Sequence, residues 1–168
     1  MARLDEAASR ILRVKLRAGV MTAGAPSTRP FAGQWDQLGS PEHRAVARRA
    51  VRESMVLLKN NRGILPLSPK LHVLVAGDGA DDLGKQCGGW TISWQGTGNS
   101  RSDFPHGQTI LEGIRDKVEA AGGAVTYSAT ATFLAKPDVA IMVFGEDPYA
   151  ETPGDLDTLA YNSRDLAL

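Results

Sequence analysis

Three short apolar segments most constrain the fold of this chain. Residues 71–77 (LHVLVAG), 124–128 (AVTYS) and 138–145 (DVAIMVFG) have the length and composition of buried strands. Residues 42–59, which follow a Ser-Pro helix start, and residues 109–121 place apolar side chains at helical spacing. Strands that alternate with helices predict an α/β fold, a three-layer sandwich around a mostly parallel sheet.

The N-terminal part of the chain predicts an isolated helix and a linker. Residues 4–17 have one apolar stripe, whereas the segment that follows is rich in Gly and Pro and lacks periodicity. An apolar stripe must be buried, so we expect this helix to dock onto a part of the protein outside this chain. The alternative is that it folds back onto the sandwich. The expected divisions are 1–18 for the helix, 19–40 for the linker and 41–168 for an incomplete sandwich domain.

Composition argues against several functional classes. The 168 residues include 19 acidic residues against 19 Lys and Arg, and a net charge of zero does not supply the basic face of a nucleic-acid binder. No window reaches the about 20 apolar residues of a membrane span. The single Cys87 excludes an internal disulfide, and three scattered histidines offer no metal-ligand spacing. We expect neither a metal nor a cofactor.

Two loops that follow predicted strands are candidate functional segments. They span residues 77–107 and 145–155, and ligands of open parallel sheets bind outside the carboxyl ends of the strands. The first loop begins AGDGADDLG, but its glycines do not complete a dinucleotide fingerprint and no helical pattern opens at the right place. Its aspartates would also repel a phosphate. Nucleotide binding is therefore the weakest interpretation.

The first loop also contains CGGWTISWQG (87–96), in which glycines flank Trp90 and Trp94. A sugar presents patches of C–H groups edged by hydroxyls, and an aromatic face can cover such a patch. The pair therefore indicates carbohydrate binding. The alternative is that both rings fill the core, since tryptophan is mostly buried in folded proteins. Polar side chains that can bond sugar hydroxyls lie nearby: Ser93, Gln95 and Asn99.

The second loop, GEDPYAETPGD, is rich in carboxyl groups. Glycoside hydrolysis needs a carboxylic acid that protonates the leaving oxygen and a second carboxylate opposite it. Glu146, Glu151 and Asp155 can reach the same sheet edge as the tryptophans, and the alternative for each is a solvated loop charge. Spacing alone does not choose among them.

Four blocks together resemble the second domain of family-three glycoside hydrolases, in the β-glucosidase and exo-β-glucanase branch. They cover most of the chain after the linker, and CGGWTISWQG and GEDPYAETPGD are the most specific stretches. The blocks are VRESMVLLKNNRGILPL (51–67), VLVAGDGADDLGKQCGGWTISWQGTGN (73–99), GQTILEGI (107–114) and VFGEDPYAETPGD (143–155).

The resemblance implies the rest of the architecture and the roles of the site residues. An N-terminal (β/α)8 barrel would precede this chain, with residues 4–17 as its last helix, and the active site would lie between the two domains. The position of Trp94 implies one jaw of an aromatic clamp on the sugar, with Trp90 beside it. The acid/base role falls on Glu151, with Glu146 as the runner-up. The nucleophile of such enzymes is an aspartate on the barrel, outside this chain.

The resemblance also implies a reaction and a setting. The expected enzyme is a retaining β-glucosidase or exo-1,3-1,4-β-glucanase that hydrolyses terminal β-D-glucosyl residues of β-glucosides or β-glucan oligosaccharides. We expect the full-length protein to be periplasmic or secreted and this segment alone to be inactive. The competing hypothesis is a non-catalytic sugar-binding or interaction module.

Overall fold

Residues 1–161 are described by a computed structural model, and their contacts separate into two units with the boundary between Asn60 and Asn61. Across these residues, no helix is both long and apolar enough to cross a membrane.

The first unit contains two α-helices, α1 (Ala2–Arg17) and α2 (Pro41–Ser54). The segment between them contains only two short 3-10 turns. No residue of α1 is buried, and Leu4 and Leu16 of its apolar stripe are 65% and 63% exposed. The docking partner expected for this stripe stays a prediction.

Helix α2 begins where the sequence predicts and ends earlier. The Ser40 hydroxyl caps it by accepting a hydrogen bond from the His43 N–H at 3.4 Å. The prediction that the helix continues to residue 59 is wrong, because Met55 is already extended. The Ser54 hydroxyl donates back to the carbonyl of the last helical turn at 2.9 Å. The MVLL run that follows offers no polar face for a helix and suits an extended segment.

The second unit is built on three parallel strands, β1 (His72–Ala76), β2 (Ala124–Ser128) and β3 (Val139–Met142). Their order is β2-β1-β3, with Val73 of the central strand opposite Val125 of β2. The central strand is buried almost throughout, as its continuous apolar sequence predicts. The predicted α/β class with a mostly parallel sheet is confirmed.

Two helices follow β1 in the chain, α3 (Leu83–Cys87) and α4 (Ile110–Ala120). Helix α4 matches its prediction and begins at a capping box. The Thr109 hydroxyl accepts from the Glu112 N–H at 3.2 Å, and the Glu112 carboxylate accepts from the Thr109 N–H at 2.8 Å. Alternate residues of β1 face this helix, which closes the core on one face of the sheet. The core residues are Val73, Val75, Ala80, Leu111 and Val118.

Candidate active site

Both candidate loops begin at the carboxyl edge of the sheet, next to each other. Strands β1 and β3 are neighbours, and a Cβ added to Gly77 at the end of β1 would lie 2.1 Å from the Val143 carbonyl oxygen at the end of β3. That carbonyl also accepts a hydrogen bond from the Gly79 N–H at 3.0 Å. Only glycine permits such a close approach together with the positive φ of Gly77. The sheet therefore starts both loops at its carboxyl edge, as predicted, and the strand order places them side by side.

The first loop contains the short helix α3, which the sequence analysis missed. The Asp82 carboxylate caps it by accepting from the Lys85 N–H at 2.9 Å, and Gly88 ends it at a φ of 79°. An aspartate N-cap and a glycine six residues later were the available signals. Apolar periodicity was uninformative because α3 has five residues and buries only Leu83.

The tryptophan loop, residues 88–99, is held by hydrogen bonds among its own residues. The Trp90 N–H donates to the Trp94 carbonyl at 3.0 Å, and the Asn99 side-chain amide donates to the carbonyls of Thr91 (3.0 Å) and Gly96 (3.1 Å). The two indoles lie 6.3 Å apart between ring centroids and are tilted by 47°. They are 66% and 52% exposed, so within the described residues they form an aromatic surface rather than part of the core.

Lys85 of α3 holds the start of the carboxylate loop, residues 145–155, through a hydrogen bond and an ion pair. The Lys85 ammonium lies 2.6 Å from an Asp78 carboxylate oxygen and 3.0 Å from an Asp147 carboxylate oxygen, and it donates to the Gly145 carbonyl at 3.0 Å. Partial burial by itself would lower the pKa of Lys85, but the hydrogen bonds and charges of the two aspartates outweigh it and raise that pKa. The lysine therefore stays charged at neutral pH and links the two loops.

The glutamates of the carboxylate loop differ in their surroundings. The Glu146 carboxylate accepts a hydrogen bond from the Tyr149 hydroxyl at 2.7 Å, which raises the pKa of Tyr149. The Glu151 side chain is exposed and, within residues 1–161, makes no hydrogen bond or ion pair. Its backbone has a φ of 57°, a conformation that residues with side chains rarely adopt. Asp155 is also exposed, and its N–H closes a 3-10 turn on Thr152.

A close backbone contact joins the tryptophan loop to the carboxylate loop. The Gln95 side-chain carbonyl accepts a hydrogen bond from the Ala150 N–H at 2.8 Å. A Cβ added to Gly89 would lie 2.0 Å from the Tyr149 carbonyl oxygen, so the two backbones nearly touch. Residues of both loops also line a cavity of about 260 Å³. From the sequence, Gln95 was expected only as a possible partner of sugar hydroxyls and Lys85 had no expected role, since neither residue signals a partner so distant in the chain.

The structure is that of an open α/β domain whose strand-end loops combine paired tryptophans with carboxyl groups. The chain belongs to glycosyl hydrolase family 3, because the model of that family's C-terminal domain matches residues 55–168. The resemblance inferred from the four sequence blocks is confirmed.

Curated proteins and solved structures of the same kind resemble the chain over most of its length. It is 31% identical to the lysosomal beta glucosidase of Dictyostelium discoideum over 99% of this chain and 22% of that protein. The periplasmic beta-glucosidase of Salmonella typhimurium is 31% identical over 76% of this chain and 16% of its own length. The crystal structure of an exo-1,3/1,4-beta-glucanase from a Pseudoalteromonas species superposes with a TM-score of 0.84 at 49% identity, over 91% of this chain and 19% of that one. The chain therefore spans about a fifth of the length of these relatives.

Proposed function

We propose that this chain is part of a retaining β-glucosidase or exo-β-glucanase that removes terminal β-D-glucosyl residues. In this proposal Glu151 is the general acid/base, and Trp90 and Trp94 bind the sugar. The relatives support this substrate class, since they are named beta-glucosidases and an exo-1,3/1,4-beta-glucanase. The nucleophile and most contacts to the terminal glucose belong to a (β/α)8 barrel in the remainder of the proposed enzyme.

The single observation that carries the proposal is the hydrogen bond between Gln95 and Ala150. Gln95 directly follows Trp94, and Ala150 directly precedes Glu151. The bond therefore joins the chain neighbours of an exposed indole and an exposed carboxylate, 55 residues apart in sequence. Aromatic surface beside an ionisable carboxyl group is what a glycosidase needs in order to hold a sugar and protonate its glycosidic oxygen.

The surroundings of the two glutamates favour Glu151 as the acid. The Glu146 carboxylate is engaged by the Tyr149 hydroxyl, which would compete with a leaving group for its oxygen. The Glu151 carboxylate has no such partner among the described residues. Its left-handed backbone also supports a functional role, since strained conformations of this kind cluster at active sites.

The proposed reaction has two displacement steps. In the first, the Glu151 carboxyl group gives its proton to the glycosidic oxygen while the barrel aspartate bonds to the anomeric carbon, and the C–O bond to the leaving group breaks. In the second, the Glu151 carboxylate takes a proton from water, whose oxygen attacks the anomeric carbon and releases the aspartate. The tryptophans hold the sugar beyond the cleavage point during the first step.

The test compares Glu151→Gln with Glu146→Gln in the full-length protein, using two β-glucosides. One carries a poor alkyl or sugar leaving group that needs protonation, and the other carries a dinitrophenyl group that leaves without it. We expect Glu151→Gln to lower kcat/KM for the poor leaving group by about a hundredfold to ten-thousandfold, the usual contribution of general acid catalysis. For the dinitrophenyl glucoside, kcat/KM should stay within a few-fold of the wild-type value. Its kcat should fall because the second step lacks its general base, and azide, an anion that needs no general base, should restore that kcat.

Each other outcome has a definite meaning. If Glu146→Gln shows this leaving-group dependence and Glu151→Gln does not, the acid is Glu146. If neither variant shows it, the assignment of an acid to this domain is wrong. If the wild-type full-length protein binds β-glucan oligosaccharides without hydrolysing them, the non-catalytic sugar-binding module replaces the enzyme.

A further inference from the structure

We propose that Gln95 is a positioning residue that holds the backbone before Glu151 and thereby aims the acid carboxyl group at the leaving oxygen. This inference rests on the proposed function, since it assumes that Glu151 is the acid. It adds a role for a residue that neither provides the proton nor forms part of the aromatic surface.

The hydrogen bond of Gln95 falls on a backbone group that has little access to solvent. Ala150 is only 7% exposed, and its N–H donates to the Gln95 carbonyl oxygen at 2.8 Å. Without this acceptor, the N–H would be left largely desolvated and unpaired, which is unfavourable. The 145–155 loop would relieve that state by shifting until the N–H reached water.

The conformation of Glu151 makes the direction of its side chain sensitive to such a shift. A φ of 57° is unfavourable for a residue with a Cβ and persists only where neighbouring contacts impose it. Hydrogen bonds hold the backbone on both sides of this residue: the Ala150 N–H binds Gln95, and the Glu151 carbonyl accepts from the Gly154 N–H at 2.8 Å. If the first bond is lost, Glu151 can return to a negative φ, which turns its side chain away.

The contacts that Lys85 makes with the loop do not replace the hydrogen bond between Gln95 and Ala150. Lys85 holds the loop at Gly145 and Asp147, several residues before Glu151. It limits where the loop begins but makes no hydrogen bond to the backbone at Ala150. We therefore assign to Gln95 the role of orienting the Glu151 carboxyl group.

The test uses the ratio of kcat/KM values for the same two β-glucosides in the full-length protein. In Gln95→Met the side chain keeps its approximate length and loses its acceptor. We expect kcat/KM for the poor leaving group to fall about tenfold to a hundredfold, the effect of misplacing a reacting group by about 1 Å. The dinitrophenyl glucoside should change less than about threefold, because its departure needs no acid. The ratio does not depend on the fraction of folded enzyme, so partial misfolding cannot produce this result.

Two conservative variants and one matched control sharpen the test. Gln95→Glu keeps an acceptor at the same reach and should recover most of the ratio, whereas Gln95→Asn is one methylene shorter and should resemble Gln95→Met. The control is Gln86→Met, the same chemical change in a glutamine whose side-chain amide donates to the Gln108 carbonyl at 3.2 Å, away from the carboxylate loop. It should leave the ratio unchanged.

The outcomes separate this inference from the function on which it rests. If Glu151→Gln shows the leaving-group dependence and both Gln95→Met and Gln95→Asn keep the wild-type ratio, Gln95 does not position the acid and the proposed function stands. If Gln86→Met lowers the ratio as much as Gln95→Met does, the effect is not specific to this bond and the inference is overturned. If Glu151→Gln itself lacks the dependence, the acid assignment falls and the role of Gln95 falls with it.

Discussion

Replacing Gly89 with alanine tests directly whether the two loops touch. The added Cβ would lie 2.0 Å from the Tyr149 carbonyl oxygen, and an ordinary contact begins at 3.4 Å, so the loops would have to separate by about 1.4 Å. The obstacle is backbone, which cannot turn aside as a side chain can. The same movement would stretch the 2.8 Å hydrogen bond between Gln95 and Ala150 beyond bonding distance.

The magnitude follows from these two effects. Overpacking by one methyl group costs about 1–3 kcal/mol, and leaving a buried N–H unpaired costs a similar amount. The free energy of unfolding of the domain should therefore fall by about 2–6 kcal/mol in Gly89→Ala. Displacement of Glu151 by about 1 Å should also lower kcat/KM for a substrate with a poor leaving group by about tenfold to a hundredfold.

The assay is urea unfolding of the full-length protein, followed by tryptophan fluorescence and paired with kcat/KM measurements. The matched control is Gly113→Ala on α4, where an added Cβ meets nothing within 4 Å. It should stabilise the domain by about 0.5–1 kcal/mol, because alanine is the better helix former. If Gly89→Ala unfolds at the wild-type urea concentration and keeps wild-type activity, the contact between the loops does not exist and the reasoning from it fails.

Two further predictions concern the carboxylate loop. The free energy of unfolding of Glu151→Gly, measured in urea, should exceed that of Glu151→Ala by about 0.5–2 kcal/mol, since glycine accepts the φ of 57° and alanine does not. Both variants lose the acid. Equal stabilities would contradict the positive φ at this position. Lys85→Met should destabilise the domain by roughly 1–3 kcal/mol, because it leaves the Asp78 carboxylate without its ammonium partner. Since the pKa of Lys85 is raised, this difference should be fully present below the unfolded pKa of about 10.4 and disappear as pH rises through the folded pKa. A difference that persists unchanged above that range would show that packing, not charge, is its source.

Local sequence determined the three strands of the second unit and its helix α4. The apolar run of β1 is long enough for one buried strand, and the Thr109 and Glu112 side chains are the capping box that begins α4. The limits of the predicted strands and of α4 lie within a few residues of those observed, because each depends on neighbours in the chain. The sequence blocks around the two loops also identified the family.

The tertiary structure decided how the site is assembled. The indoles of Trp90 and Trp94 face outward, although composition alone left their burial open. The bond from Gln95 to Ala150 spans 55 residues, and the Lys85 bond to Gly145 spans 60. No periodicity or cap encodes a partner at that distance, since such contacts exist only after parallel pairing has brought the ends of β1 and β3 together. Sequence by itself therefore determined which residues are available for chemistry, and the sheet decided which of them meet.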